Sequence, residues 1–500
     1  MSCECSLTLG PLDFIPAFLC PTLSTIPALV SLPPPLLRIL KEAGLRFIQT
    51  KPFRYTAFAV LWCAVAVARG FGQYVDYPQT VGKTQQFSVA RLPNGTRLDI
   101  EVRGRTEAQT AINSVSGNAR VYELTRVRGA ISIKPTSWIS AYIQFQDAHA
   151  LGLPLKFTAS NMRDTFDLRQ ARLKIGSNKV SLIAGRQQLR FGDERLIGIS
   201  DWTNVSRTFD GFDLRIGDKN RVDIFTQSVV DITPTAFDEH GAGLNLHGLY
   251  GTLKQLVPKT TLEPYIFVKA LPRVKSQQSI YGDETEVTYG MRVSRDAHDN
   301  FDYVVEGILQ RGSYSNNSIH AGAAYAKLRR TFMHAPWVPA IQGEYDYATG
   351  NPHRNPERVS TFDQLYPSDH NVFGLVDLFG WQNIKQVRVN LYLTPGRNLT
   401  VLVQQEFLNL ASTKDAVYGG NGKVFMAPPP GGFISNDIGR GFDASLKYIY
   451  HDYWVLNAGV GHFSPGQTLR PNGPPLTISY ISLTYRFSMS KHPLNDFPAE

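Results

Sequence analysis

The sequence predicts an all-β fold: a membrane-spanning antiparallel β-barrel of about 18 strands with long extracellular loops. Three observations lead to this prediction. Beyond residue 90, segments of about ten residues alternate apolar and polar side chains between clusters of Gly, Asn, Asp and Pro. The polar face of almost every segment is charged, and no amphipathic helix of convincing length interrupts the pattern.

The alternation is clear in the segment from Arg97 to Arg105, where Leu98, Ile100 and Val102 share one face and charged residues share the other. The same pattern recurs in KQVRVNLYL and FDASLKYIY. About eighteen such strands are predicted, a number typical of a membrane barrel. They begin near Arg97, Val121, Ser137, Phe166, Asn178, Arg207, Asn220, Gly241, Thr260, Glu284, Phe301, Ile319, Trp337, Asn383, Asn398, Arg440, Tyr453 and Thr477.

The charged faces favour a barrel in lipid over a soluble β-sandwich. Packing so many charges into a dry core would cost several kcal/mol per ion. A membrane barrel instead turns its apolar face to lipid and its charges to a wet lumen. Aromatic residues near segment ends are predicted to form the girdles at the two membrane interfaces. They are Trp138, Tyr142, Tyr265, Trp337, Tyr345, Tyr347, Tyr448, Tyr450, Trp454 and Tyr485.

The chain before the barrel has the pattern of a secreted protein. Lys51 and Arg54 precede an apolar run from Thr56 to Ala68 that ends in Ala-Val-Ala, which is typical of a signal peptide. We therefore predict a non-structural upstream extension (1–50), a signal peptide (51–68), an N-terminal periplasmic segment (69–96), the barrel (97–487) and a C-terminal tail (488–500). All four cysteines lie at or before Cys63, which excludes a disulfide or thiolate metal site in the barrel.

Charge and motifs narrow the classes of function. The formal net charge of +9 favours anionic partners, and the lack of a Lys/Arg-rich run argues against nucleic acid. The sequence contains no G-x-S-x-G elbow, H-E-x-x-H helix, EF-hand loop or Walker pattern. We therefore predict no enzyme activity, no catalytic residue, no metal site and no cofactor.

Arginines on the polar faces are the candidates for binding a solute. A guanidinium group binds carboxylate bidentately at any relevant pH, and nearby acids keep such binding weak enough for release. The alternative is that these side chains only solvate the lumen or pair between strands. The candidate solute-binding residues are Arg97, Arg103, Arg126, Arg128, Arg172, Lys174, Arg215, Arg221, Arg388, Asp213 and Glu344.

Three stretches resemble one known family. The segment from Gly185 to Leu214, GRQQLRFGDERLIGISDWTNVSRTFDGFDL, is similar to the hallmark segment of the alginate export family of outer-membrane barrels. The segment from Thr361 to Asn383 resembles that family's long loop, and the one from Ile438 to Gly466 resembles its penultimate hairpin. The resemblance implies a monomeric eighteen-stranded barrel whose electropositive constriction passes a polyuronate.

The hallmark segment is predicted to be a barrel hairpin with a structured tip. Arg207, Asp213 and Arg215 are assigned to the lumen face of a strand. The charges between Asp193 and Asp201 are assigned to a loop that folds locally through ion pairs.

Two other functions remain open from the sequence: a general or oligosaccharide-uptake porin on the same barrel and, less favoured, an outer-membrane enzyme or adhesin. The expected location is the bacterial outer membrane. The expected partners are an anionic polysaccharide or another small anionic or sugar solute, the outer-membrane lipid, and periplasmic export proteins, with no nucleic acid.

Overall fold

A computed structural model of the chain describes residues 85–89, 92–111, 119–276, 279–295, 300–352, 357–368, 370, 372–451, 453–470, 473 and 475–491. All of these residues belong to one unit, Thr56–Glu500. The upstream extension and the signal peptide predicted from the sequence lie outside the described residues.

The regular structure of the described residues is almost entirely β-strand. The strands are β1 (Gln85–Ser88), β2 (Thr96–Gln109), β3 (Arg120–Ile133), β4 (Ile139–Leu151), β5 (Asp164–Gly176), β6 (Val180–Gln187), β7 (Phe209–Gly217), β8 (Asn220–Asp231), β9 (Glu239–Val257), β10 (Thr260–Lys275), β11 (Tyr281–Arg295), β12 (Phe301–Tyr314), β13 (Asn317–Thr331), β14 (Ala340–Ala348), β15 (Arg358–Val359), β16 (Ile384–Gly396), β17 (Leu399–Leu410), β18 (Val417–Tyr418), β19 (Val424–Met426), β20 (Asp437–Tyr450), β21 (Trp454–Pro465) and β22 (Leu476–Ser490).

Eighteen of these strands close into one antiparallel barrel: β2 to β14, β16, β17 and β20 to β22. Closure comes from β2, which pairs with β3 on one side and with β22 on the other. A closed ring has no free edge, so the wall pairs its own backbone groups, as lipid requires. The predicted fold class is confirmed, and each predicted strand start lies within three residues of a barrel strand. Strands β1 and β15 add short parallel pairings, to β22 and β13.

The two ends of the barrel differ in the length of their connections. One end carries short turns, such as 177–179 and 218–219, together with the start of β2 and the end of β22. The other end carries the long connections. We name three of them the first inner loop (188–208), the second inner loop (349–383) and the third inner loop (411–436). In outer-membrane barrels short turns are periplasmic and long loops extracellular.

The connection between β4 and β5 contains two short 3-10 helices, Leu155–Phe157 and Ser160–Met162. Within the described part of the chain, none of the helices has the length and apolar character needed to cross a membrane.

Side chains alternate between the two faces of the wall as predicted. Val102 is 44% exposed on the outside, whereas its neighbour Arg103 is 7% exposed on the inside. The same contrast separates Val127 from Arg126 and Arg128. The apolar outer face suits lipid, and the charged face lines the interior.

Two residues assigned to the aromatic girdles lie inside the barrel instead. Trp138, Trp337 and Tyr450 are more than half exposed on the outer surface. Tyr142 and Tyr265 are buried, however, so the prediction was wrong for them. Their strand positions share the inward face with charged residues, and the Tyr265 hydroxyl donates a hydrogen bond to Glu306 (2.6 Å).

The lumen is more densely packed with apolar side chains than the sequence predicted. Leu196 and Ile197 of the first inner loop and Phe362 and Trp381 of the second pack in one apolar cluster with wall residues such as Phe267. This shared cluster shows that the inner loops lie within the lumen and pack against its wall. The alternation of a short segment predicts which face of a strand turns inward, but it does not show which loop residues pack against that face.

Gly185 allows β5 and β6 to approach closely where the first inner loop begins. Its φ is +113°, and a Cβ atom there would lie 2.2 Å from the Ala171 carbonyl oxygen of β5. We expect Gly185→Ala to lower the free energy of unfolding by about 1–3 kcal/mol, because both the backbone angle and the contact are strained. The measurement is the fraction of folded protein at increasing urea concentration. Folded protein is seen on a denaturing gel as the band that shifts when the sample is heated.

Gly307→Ala is the matched control, because a Cβ atom there would meet nothing within 4 Å. Its urea midpoint should equal that of the unsubstituted chain. An equal effect of the two substitutions would contradict the close approach at Gly185.

Candidate functional site: the charged lumen

The candidate solute-binding residues divide into two tiers. The upper tier comprises residues whose side chains contact an inner loop: Arg103, Arg126, Arg128, Arg388 and Glu344. The lower tier comprises residues within four positions of the short-turn end of β2, β5, β7 or β8: Arg97, Arg172, Lys174, Asp213, Arg215 and Arg221. Lower-tier strands run from β2 to β8, so these side chains occupy one arc of the wall.

Three upper-tier arginines bind one aspartate of the first inner loop. Arg126 Nη1 lies 3.1 Å and Arg128 Nη1 2.9 Å from Asp201 Oδ1. Arg103 Nη1 donates to the Asp201 carbonyl oxygen at 2.9 Å. We call these four residues the Asp201 cluster. The Ser206 hydroxyl adds a hydrogen bond to Asp201 Oδ1 (2.7 Å), so the loop carboxylate is held from both the wall and its own loop.

Neutral hydrogen bonds fix the position of this loop segment. The Asn204 amide nitrogen donates to the carbonyl oxygens of Thr125, His149 and Met162 at 3.0–3.1 Å. Arg105 stacks over the Trp202 ring, with 3.9 Å between the guanidinium carbon and the ring centroid. The segment 201–206 therefore provides hydrogen-bond partners for buried polar groups on the inner side of β2 to β4.

The cluster keeps Asp201 ionised. Burial alone would raise the pKa of Asp201, but the guanidinium groups of Arg126, Arg128 and Arg103 outweigh it and hold the pKa well below its usual range. A carboxylate with a lowered folded-state pKa stabilises the fold fully above its unfolded pKa of about 3.9. That stabilisation is lost only as the pH falls through the lower folded-state value, so the cluster is intact at neutral and mildly acidic pH.

The other half of the first inner loop is bound to the opposite wall. Asp193 Oδ1 lies 2.7 Å from Arg292 Nη2, and Asp193 Oδ2 lies 3.4 Å from Lys327 Nζ. Burial would raise the pKa of Asp193, but Lys327 and Arg292 lower it. Arg195 Nη1 lies 2.5 Å from Asp346 Oδ1, and its guanidinium carbon lies 3.5 Å from the Tyr325 ring centroid. The loop thus spans the lumen between two charged surfaces.

Aromatic and backbone contacts complete this attachment. Phe191 stacks on Tyr250 with a centroid distance of 4.4 Å. The two inner loops pair with each other: Gly198 N donates to Tyr366 O (2.9 Å), and Tyr366 N donates to Leu196 O (2.8 Å). The first and second inner loops therefore act as one packed unit inside the wall.

Arg388 and Glu344 form the rest of the upper tier. They pair with each other, and Glu344 also lies 3.4 Å from Arg195. Arg388 Nη1 donates to the Val372 carbonyl oxygen of the second inner loop at 2.8 Å. The upper-tier arginines thus all contact groups of an inner loop.

The lower tier is more open. Arg215 lies 2.8 Å from Asp213, Arg221 lies 2.8 Å from Asp223, and Arg97 lies 2.7 Å from Asp99. The side chains of Arg215 and Arg221 are 33% and 39% exposed, against 1% for Arg126. Cations with this exposure keep access to a solute entering from the short-turn end.

Arg172 and Lys174 complete the lower tier on β5. The guanidinium carbon of Arg172 lies 4.9 Å from the Tyr142 ring centroid. Both side chains are half-buried, and they alternate along the strand with the outward-facing Leu173 and Ile175.

The hallmark segment folds differently from the prediction in two respects. Arg207 does not lie on a strand; it precedes β7 and donates to the carbonyl oxygens of Gly198, Tyr366 and Pro367. The loop charges pair mainly with the wall, and Arg190 with Glu194 (3.1 Å) is a local pair. The prediction was wrong because the barrel wall offers these loop charges buried counter-charges that are distant in sequence.

Comparison with known proteins agrees with this architecture. Residues 96–478 match the alginate export family. The chain belongs to this family. A comparison with curated proteins found no match. The resemblance noted in the hallmark segment is therefore confirmed at the level of the family.

Solved outer-membrane proteins share the fold of this alginate export family member. Pseudomonas aeruginosa OccK11 (OpdR) is 11% identical with a TM-score of 0.52, over 83% of this chain and 100% of its own. Acinetobacter baumannii OccAB2 is 10% identical with a TM-score of 0.55, over 79% and 98%. Pseudomonas aeruginosa OpdK with vanillate gives 10% and 0.54, over 79% and 98%. The family and the fold together place the chain in the bacterial outer membrane as a channel-type barrel.

We expect Asp201→Asn to loosen the first inner loop, because the substitution removes the charge that the cluster arginines face. Trypsin should then cleave within residues 188–208 of the folded barrel faster than in the unsubstituted chain, as seen by mass spectrometry of the fragments. Asp218→Asn, in an exposed periplasmic turn, is the control and should leave cleavage unchanged. Equal resistance of the Asp201 variant would show that the cluster does not hold the loop.

Proposed function

We propose that this protein is an outer-membrane channel that passes an anionic, alginate-like polysaccharide by passive diffusion, and that lumen arginines bind the carboxylates of the polymer. The observation that carries the proposal is the Asp201 cluster. An aspartate carboxylate and a uronate carboxylate are the same chemical group, so guanidinium groups that bind one can bind the other.

The lower tier would act first on a polymer that arrives from the periplasm. Arg215 and Arg221 are partly exposed and lie with Lys174 on one arc near the short-turn end. An excess of positive charge in a low-dielectric mouth raises the local concentration of a negatively charged solute. Neighbouring acids such as Asp213 and Asp223 keep each contact weak, which supports release to the next arginine.

The upper tier would act by exchange. A uronate that reaches Arg126 and Arg128 competes with Asp201 for the same guanidinium groups, and the first inner loop moves aside as the polymer takes its place. The exchange replaces one carboxylate–guanidinium pair by another, so it needs little net free energy. Such near-balanced exchange favours passage over trapping.

Single-channel recording in planar bilayers tests the proposal. We expect an oligouronate to block the current, and the double variant Arg172→Gln/Lys174→Gln to need at least about tenfold more of it, because a hydrogen bond to a charged group is worth about 1.5–3 kcal/mol. Arg311→Gln is the matched control, because Arg311 is an exposed residue of β12 near the long-loop end of the barrel, away from the lower tier. Its block should equal that of the unsubstituted chain.

Two outcomes would contradict the proposal. Free passage of neutral oligosaccharides without any block by oligouronate would favour a general or oligosaccharide-uptake porin. Absence of ion current in the presence and absence of oligouronate would exclude a channel and favour an enzyme or adhesin.

A further inference from the structure

Three aspartates at the long-loop end of the barrel form a compact group, which we call the acidic triad: Asp164 and Asp167 of β5 and Asp238, just before β9. One carboxylate oxygen from each lies within 4.8 Å of the others. Asp164 and Asp167 are each 1% exposed. Asp238 is half-buried. Three ionised carboxylates this close repel one another, and a cation between them would remove that repulsion.

The backbone of β5 brings two of these side chains to the same face. Residues three apart on a regular strand point to opposite faces of the sheet. Here Phe166 adopts φ = +39°, and the register between β4 and β5 shifts at Gln144/Phe145 and again at Gln146/Ala148. The resulting bulge turns both Asp164 and Asp167 inward.

Two oxygens of the triad have no hydrogen-bond donor among the described residues: Asp164 Oδ1 and Asp167 Oδ1, both fully buried. The second oxygen of each residue is used, since Asp164 Oδ2 accepts from Gln146 (3.4 Å) and Asp167 Oδ2 accepts from Asp238 N (2.5 Å). Buried charged oxygens without a donor cost several kcal/mol in a folded protein. A bound cation would satisfy both of them.

The charge of Arg186 acts on Asp167 and Asp238, but its direct ion pair is with another aspartate. Arg186 is paired with Asp210 through Nε (2.8 Å) and Nη2 (3.0 Å). Its other hydrogen bonds go to the carbonyl oxygens of Leu168 and Asp238. Among the described residues, no lysine or arginine forms an ion pair with Asp164, Asp167 or Asp238. No basic side chain among the described residues is therefore positioned to offset the charge of the triad by direct pairing.

A second acidic group in the same barrel shows the contrast. Glu284, Glu286 and Asp363 also place three carboxylate oxygens within 4.8 Å of one another. There the Lys269 ammonium group pairs with Asp363 and lies 3.0 Å from Glu284. The barrel thus supplies its own cation to one group and none to the other.

We propose that the acidic triad binds a divalent cation of the calcium class. Ca²⁺ takes oxygen ligands at about 2.3–2.6 Å, so two oxygens on one ion can be up to about 5 Å apart. Mg²⁺ demands near-ideal octahedral geometry at about 2.0–2.1 Å and is reluctant to lose its water, so a site built from protein carboxylates suits Ca²⁺ better. The remaining coordination positions of Ca²⁺ are taken by water or backbone oxygen.

The position of the triad gives the ion a structural role. Strands β6 and β7 have only eight and nine residues, because the chain between them turns inward as the first inner loop. The connection between β8 and β9 crosses this short part of the wall and reaches β5, where Thr165 N donates to Pro234 O (3.3 Å). Calcium would tie β5 to this connection next to the start of the first inner loop.

Isothermal titration of the full chain with CaCl₂ tests the proposal, in detergent micelles free of lipopolysaccharide. We expect one saturable site, with Mg²⁺ binding more weakly. The double variant Asp164→Asn/Asp167→Asn should bind at least about tenfold more weakly, because calcium affinity depends on the charge of the ligands. The matched control Glu284→Gln/Glu286→Gln should bind as the unsubstituted chain does.

A second measurement is the temperature at which the band of folded protein disappears on a denaturing gel. Calcium should raise this temperature for the unsubstituted chain and should not change it for the double variant. In EGTA the double variant should be the more heat-resistant protein, because its side chains no longer repel. Asp238→Asn, outside the barrel wall, replaces the double variant if that protein does not fold.

The proposal is overturned by any of three results: no saturable calcium binding, equal binding by the triad variant, or magnesium binding as tight as calcium binding. The channel proposal does not depend on this outcome, because conductance is measured independently of calcium binding.

Discussion

The pairing of wall arginines with carboxylates of the first inner loop is the interaction on which the interior depends. A membrane barrel must turn its charged face inward, since lipid does not solvate ions. Arg126 is 1% exposed, so its charge also lacks bulk water and needs a counter-ion. Asp201 and Glu101 provide it, and the loop that carries Asp201 is thereby held across the lumen.

The same requirement explains why the two tiers differ. Upper-tier arginines are buried by the inner loops and are matched by loop groups, whereas lower-tier cations remain partly exposed beside aspartates of their own or neighbouring strands. In the channel that we propose, the lower tier would form an accessible cationic mouth, and the upper tier would form a cationic centre whose charges are masked. This arrangement would give an anion a place to enter, and the centre would open only when a competing carboxylate is present.

Much of this architecture follows from local sequence pattern. Alternation of period two placed each strand and its inward face, as at Leu98 to Arg103, because burial on one face of a strand is a local property. The position of the inner loops inside the lumen does not follow from local sequence pattern. Asp201 and Arg126 are 75 residues apart, and their contact depends on how the closed ring brings β3 to the first inner loop. Tyr142 and Tyr265 were misassigned for a related reason, since aromatic residues suit both an interface and a packed interior.

The acidic triad was also invisible to motif analysis, because its residues come from a bulged strand and a distant connection. A regular strand would have separated Asp164 from Asp167, and no spacing rule links either to Asp238. Sites assembled from irregular backbone and long-range contacts are recognised from buried oxygens without donors.

The ion selectivity of the channel tests the masking of its arginines most directly. The reversal potential of the unsubstituted chain and of Asp201→Asn would be compared in planar bilayers across a salt gradient, with Asp218→Asn as the control. We expect the Asp201 variant to be more anion-selective, because removing the loop carboxylate exposes the charge of Arg126 and Arg128. An unchanged reversal potential, or a shift towards cations, would contradict the view that Asp201 masks the upper tier.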